Sequence, residues 1–121
     1  MEAQKEGSIC VIGSVAGDRG RSSNYIYGSA KAGLAAFTQG LRQRLSKFNI
    51  DILLVKPGFV DTPMTQEFKK GFLWASPERV ARDICSAIDK RKSTLYTPWF
   101  WGWIMLVIKH IPESIFKKLK L

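Results

Sequence analysis

Apolar residues fall along this chain in short unbroken runs separated by longer stretches of spaced ones, and their order lays out the architecture. The first run, Ile9-Cys10-Val11-Ile12, is short and β-branched and precedes Gly13, which suggests a buried strand over residues 8–13. Leu34, Phe37, Leu41, Leu45 and Phe48 then recur at steps of three and four. They predict a helix over 24–47, capped by Ser22 or Ser23, with these five residues facing the core. Ile52 to Val55 is a second continuous run, consistent with a parallel strand covered on both faces. Ser76-Pro77-Glu78 joins a hydroxyl cap, a proline at the first helical position and an acid in the first turn. That helix should end near Lys90 and bury Val80, Ile84 and Ile88. Ser93 to Thr97 reads as a short final strand, and Met1 to Glu6 as a last helical turn stopped by Gly7. Strands alternating with helices point to an α/β fold with a parallel sheet.

After Pro98 the pattern changes. Residues 99–108 contain no charge, but ten residues cannot span a hydrocarbon core of about 30 Å as a helix. Trp99, Trp101 and Trp103 suit a membrane interface, and 113–121 sets lysines among Ile115, Phe116, Leu119 and Leu121, as amphipathic basic segments at anionic bilayers do. The alternative is that the aromatics fold back as a substrate wall or a subunit contact. The chain therefore divides into 1–98 and a C-terminal segment, 99–121.

Composition narrows the classes. One domain is expected of 121 residues, and an apolar fraction of 45% is ordinary for a globular protein. The net charge of +9 could suit nucleic acid, but the basic residues form no stripe interleaved with aromatics, and no nucleic-acid motif is present. Much of the excess lies at Lys90-Arg91-Lys92 and near the C-terminus, a placement that fits an anionic membrane surface or substrate better. Cys10 and Cys85 have no paired or ligand-like spacing and read as buried reduced thiols, compatible with a cytoplasmic location, which the C-terminal segment would place at the inner face of the membrane. His110 is the sole histidine and has no companions for a metal site.

The candidate chemistry lies in Gly13 to Lys31. Tyr27 and Lys31 are four apart and so share a helix face, and Ser14 sits at the mouth of the first strand. A carbonyl that accepts a hydride develops negative charge on its oxygen, which calls for hydrogen-bond donors and a proton source. A free tyrosine phenol holds its proton up to about pH 10. An ammonium about 4 Å away stabilises a phenolate by roughly 4 kcal/mol at an effective dielectric of about 20. Ser14 would orient the carbonyl. Gly13, Gly17 and Gly20 also follow a strand, but a polar loop rather than an immediate helix comes next, so they read as loop-formers around Ser14.

Strand, Ser14, a loop of small residues and Tyr27-Gly28-Ser29-Ala30-Lys31 on a helix, followed by a second strand and Pro57-Gly58-Phe59-Val60-Asp61-Thr62, resemble the short-chain dehydrogenases/reductases. The resemblance covers about Gly7 to Pro98 and implies the C-terminal half of a doubly wound Rossmann-type sheet. It implies Ser14, Tyr27 and Lys31 as catalytic residues, with Lys31 also holding the nicotinamide ribose. Pro57 and Gly58 would wall the nicotinamide of NADP or NAD, and Val60 and Thr62 would hold its carboxamide. The family's glycine-rich strand-turn-helix does not precede the active-site stretch here, so a truncated form, inactive alone and marginal in stability, is expected. A non-enzymatic membrane-binding or subunit-binding fragment is the alternative. The family's substrate lid falls on 62–74, where Met64, Phe68, Phe72 and Trp74 would cover a substrate or simply pack in the core. The small residues Ala30, Ala32, Gly33, Ala35 and Ala36 would meet a subunit partner in a homo-oligomer through helix 24–47. The string Val15 to Lys31 looks in particular like reductases of polyprenyl-phosphate-linked keto-sugars, a lipid-linked carbonyl substrate. Arg19 and Arg21 would then either contact a phosphate or only keep the loop soluble.

Overall fold

The computed structural model describes residues 1–60 and 74–119. In chain order the elements are β1 (Gly7–Ile12), α1 (Tyr25–Leu45), β2 (Ile50–Pro57), β3 (Phe59–Val60), β4 (Trp74–Ala75), α2 (Pro77–Asp89), β5 (Thr94–Thr97), α3 (Phe100–His110) and α4 (Glu113–Phe116). β1, β2 and β5 form a parallel sheet with β2 in the middle, in a register that sets Ile12 beside Val55 and Pro57 beside Thr97. β3 and β4 make a separate parallel pair.

β2 shows why this is a two-faced α/β sheet. Successive strand residues point to opposite faces. Ile50 and Ile52 pack under Leu45 of α1, with Ile9, Leu41 and Phe48 around them, while Leu53 and Val55 pack under Ala87 of α2, with Ile84 and Leu95. None of these four β2 residues is more than 6% exposed. Burying each such side chain contributes about 1.5–3 kcal/mol, so a polar residue is costly on either face. Ser76 caps α2 by accepting the Arg79 N–H at 3.2 Å, with Pro77 next, as the sequence predicts. Thr97 is fully buried and donates to Asp83 at 2.7 Å, which ties β5 to α2.

Several expectations are corrected. Phe37 is 67% exposed, and the inward stripe of α1 runs through Leu34, Thr38, Leu41 and Leu45 instead. Thr38 can be fully buried because its hydroxyl donates to the Leu34 carbonyl at 2.8 Å. On α2 the small Ala87 approaches the sheet, and Ile88 is turned outward. Cys10 and Cys85 are exposed. α2 lies over β2 and β5, so the face of the edge strand β1 that carries Cys10 and Ile12 is left open. Residues 1–6 form turns rather than a helix, with Lys5 at φ 57° and Gly7 at φ 145°. Arg42, in the last turn of α1, donates to the carbonyls of Ile52 and Ser93.

The C-terminal segment lies against the carboxyl ends of the strands. Trp101 and Met105 form a third apolar cluster with Val15, surrounded by Tyr96, Phe100, Ile104 and Ile108. Trp99, Trp103, Leu106 and Val107 occupy the other side of α3 and are exposed. Among the described residues no helix is long and apolar enough to cross a membrane.

Candidate active site

The chain leaves β1 at Gly13, whose N–H donates to the Val55 carbonyl at 2.7 Å, and turns sharply through Val15–Gly17. Ser14 caps that turn. Its Oγ accepts the Ala16 N–H at 3.0 Å, which leaves the hydroxyl proton free to be donated elsewhere. Two glycines let this turn lie directly on the backbone of α1. A Cβ on Gly28 would stand 2.8 Å from the Ala16 carbonyl oxygen, and one on Gly17 would stand 2.8 Å from backbone atoms of Lys31 and Ala32. The loop carrying Ser14 is thereby seated on the turn of helix that presents Tyr27 and Lys31.

Lys31 links the parts. Its Nζ donates to the Ile12 carbonyl, the last of β1, at 3.1 Å and stands 5.7 Å from the centre of the Tyr27 ring. An ammonium has three donors, so two remain for a ligand. The Tyr27 side chain is open to solvent. Pro57 ends β2, and the Gly58 N–H donates to the Thr97 carbonyl at 3.1 Å. The place of a Gly58 side chain is filled by the Trp101 indole, whose buried Nε1 has no hydrogen-bond partner among the described residues. Phe59 stacks on Trp74 at 4.9 Å and meets Trp101 edge-on at 5.1 Å. Val60 pairs through its backbone with Ala75. Thr62 lies outside the described residues, as do Met64, Phe68 and Phe72.

One residue next to the site escapes the sequence reading, and a second has a role there that the sequence does not give. Asp18 sits at the centre of a buried polar cluster, where the Lys56 ammonium is 2.8 Å from Oδ1 and the Tyr96 hydroxyl donates to Oδ2 at 2.5 Å. The Asp18 and Lys56 side chains are 3% and 13% exposed. Burial, and then the hydrogen bond and charge of Asp18, push the Tyr96 phenol well above its usual range. The available signal was Lys56, a charge immediately after the most buried run of the chain. Arg19 is the second. Its guanidinium donates to the carbonyls of Ile108 and Ile111 at 2.7 and 2.6 Å, pairs with Glu113 at 2.8 Å and lies 3.7 Å over the Phe116 ring. These contacts occupy Arg19, so of the two arginines considered for a phosphate only Arg21 has no such engagement.

The two unused Lys31 protons and the Tyr27 hydroxyl beside them suit the ribose of a dinucleotide. They do not form a pyrophosphate cradle. The Gly13 N–H is taken by Val55, and Gly17 is pressed against α1.

Comparison with known proteins gives a consistent picture. A family model described as short chain dehydrogenase matches residues 1–71. An uncharacterized oxidoreductase of Mycobacterium tuberculosis is 35% identical over 119 residues, 98% of this chain and 48% of that protein. Carbonyl reductase family member 4 of Xenopus laevis is 32% identical over 115 residues, 88% of this chain and 46% of that one. A short chain dehydrogenase from Burkholderia cenocepacia in complex with NADP superposes with a TM-score of 0.82 at 18% identity, over 98% of this chain and 50% of that one. The chain spans about half the length of the curated relatives it matches.

Proposed function

The chain belongs to the short-chain dehydrogenase family, and on that premise we propose that residues 1–98 are the catalytic half of an NAD(P)-dependent oxidoreductase acting on a carbonyl or the corresponding alcohol. The observation that carries this is the Lys31 ammonium, held by the end of β1 and set beside the Tyr27 ring, on the helix turn where the Ser14 loop is seated. A bound nicotinamide supplies or accepts the hydride. Ser14 donates its free proton to the carbonyl oxygen and fixes the orientation of the substrate. Tyr27 delivers the proton that completes reduction and recovers it in the reverse direction. Lys31 stabilises the phenolate between turnovers and holds the ribose through its unused donors. Pro57 and Gly58 wall the nicotinamide, and Val60 and Thr62 are assigned to its carboxamide. The NADP in the Burkholderia neighbour and the name of the Xenopus relative favour NADP and a carbonyl, respectively.

The finer assignments follow from the same basis. The substrate is a carbonyl compound carried on a polyprenyl phosphate, in keeping with the basic charge and with the Val15–Lys31 string. The pyrophosphate-binding half comes from sequence outside these residues, so this chain alone turns nothing over. A second copy pairs along the open face of α1, where Ile26 and Phe37 are exposed and a Cβ on Gly33 or Gly40 would meet nothing within 4 Å. The exposed side of α3 touches an anionic membrane surface. A second reading, a fragment that only binds membranes or subunits, draws on these same two exposed faces.

A chimera tests the proposal: the N-terminal half of the Xenopus relative fused ahead of Met1 and assayed with NADPH on a panel of ketones and keto-sugars. Oxidation of NADPH by the chimera, and none by residues 1–121 alone, is expected. A chimera that folds and binds NADPH yet reduces nothing on the panel contradicts the oxidoreductase reading and favours the second.

A further inference from the structure

A cavity of about 390 Å³ lies between the loop that leads into α1 and the end of the C-terminal segment. Gly20, Arg21, Ser22 and Tyr25 form one wall, and Glu113, Phe116, Lys117 and Leu119 form the other. Its charge is uneven. Arg21 is half-buried there, and neither its side chain nor that of Lys117 has an ion pair or side-chain hydrogen bond among the described residues. Glu113, the one acid of the lining, is already neutralised by Arg19 at 2.8 Å. Two unpaired cations therefore face a cavity whose remaining surface is largely Phe116, Leu119 and the Tyr25 ring. Leaving a guanidinium half-buried without a counter-ion is unfavourable unless something anionic visits it.

We propose that this cavity binds the phosphate of an amphiphilic molecule, with Arg21 and Lys117 on the phosphate and Phe116, Leu119 and Tyr25 along the apolar chain attached to it. At about 30 Å³ for each water-sized group, the space accommodates roughly a dozen such groups, enough for a phosphate and the first few carbons of a chain. The site deepens the lipid-phosphate reading above and rests on it only for the identity of the natural ligand. Arg19, in the same loop as Arg21, holds that loop to the end of α3 and to Phe116 of α4.

Binding to residues 1–121 by calorimetry tests the assignment without any turnover. Decyl phosphate below its micelle concentration is the probe, with decanol, inorganic phosphate and phosphatidylglycerol vesicles as the other arms. Decyl phosphate should bind at least tenfold more tightly than decanol or inorganic phosphate. Arg21→Gln and Lys117→Gln should each weaken it by about tenfold, the equivalent of one charge-assisted contact. Arg21→Lys, which keeps the charge, should stay within about threefold of the parent and so separates loss of charge from loss of fold. Equal binding of decanol, or unchanged binding in the Arg21→Gln/Lys117→Gln double variant, overturns the proposal. So does an Arg21 dependence confined to the vesicles, which would assign the cations to a bilayer surface. Tyr27→Phe should leave decyl phosphate binding intact, so failure of the catalytic reading and failure of this one give different results.

Discussion

Gly28→Ala offers a sensitive test of how the Ser14 turn is seated on α1. Both Gly28 and Gly33 lie within this 21-residue helix, and alanine is preferred to glycine in a helix by about 1 kcal/mol. At Gly33 a Cβ meets nothing within 4 Å, so only that preference should be felt. At Gly28 the Cβ would stand 2.8 Å from the Ala16 carbonyl oxygen. Ordinary contacts lie near 3.5 Å, so the turn has to retreat by roughly 0.5–0.7 Å, or strain of the overpacking kind, about 1–3 kcal/mol, is retained. The backbone preference cancels in the difference between the two variants. Gly28→Ala should therefore be about 1–3 kcal/mol less stable than Gly33→Ala, which should itself exceed the parent by up to about 1 kcal/mol. Urea melts at a concentration where the chain is monomeric measure both. For a domain of this size, each kcal/mol is worth about 4 °C in Tm. Equal stability of the two variants would mean that the turn is not in contact with the helix, and the seating of the Ser14 turn on α1 would fall with it.

Other expectations follow from the buried polar groups. Asp18→Asn leaves the Lys56 ammonium, 13% exposed, without its counter-charge, and should cost about 3 kcal/mol in a denaturant melt; a loss below about 1 kcal/mol contradicts the cluster. The folded state raises the Tyr96 phenol, so its contribution is complete below the unfolded value near pH 10 and is lost as pH rises through the higher folded value. Above about pH 10 the parent should therefore lose stability faster than Tyr96→Phe, by up to roughly 1.4 kcal/mol per pH unit, and parallel curves from pH 9 to 11 would contradict this. Arg19→Ala removes the donors that hold Ile108 and Ile111 and should speed amide exchange across residues 108–119 by at least tenfold relative to α1. Trp99→Ser with Trp103→Ser should reduce co-sedimentation with anionic vesicles, and binding unchanged by both substitutions excludes that face of α3 as the contact.

Continuous apolar runs and cap signals were legible because local physics dictates them. Ile52 to Val55 could only be a strand covered twice, and Ser76-Pro77-Glu78 could only open a helix. The faces of α1 were less legible. Phe37 fits the helical period as well as Leu41 does, but no described element covers it, and periodicity does not say which flank of a stripe finds a neighbour. Thr38 was passed over as polar because its return bond to the Leu34 carbonyl is not a sequence pattern. Cys10 reads as buried inside an apolar run, yet it faces the side of β1 that α2 does not reach. In the site, spacing and the family resemblance together single out Ser14, Tyr27 and Lys31, which one strand end and one helix carry. The roles of Asp18 and Arg19 depend on distant partners, Lys56 and Tyr96 for the first, 38 and 78 residues on, and Ile108 to Glu113 for the second, 89 to 94 residues on. Contacts at that separation leave no local trace.

The central claim is that the Tyr27 hydroxyl transfers the proton while Lys31 supports it from one helical turn on. Single-turnover NADPH oxidation by the chimera measures this most directly, with the parent and Tyr27→Phe compared at saturating cofactor. Removing the one hydroxyl should lower the rate by about 100-fold or more while NADPH binding stays within about threefold. A Tyr27→Phe chimera that oxidises NADPH within tenfold of the parent rate would contradict the assignment.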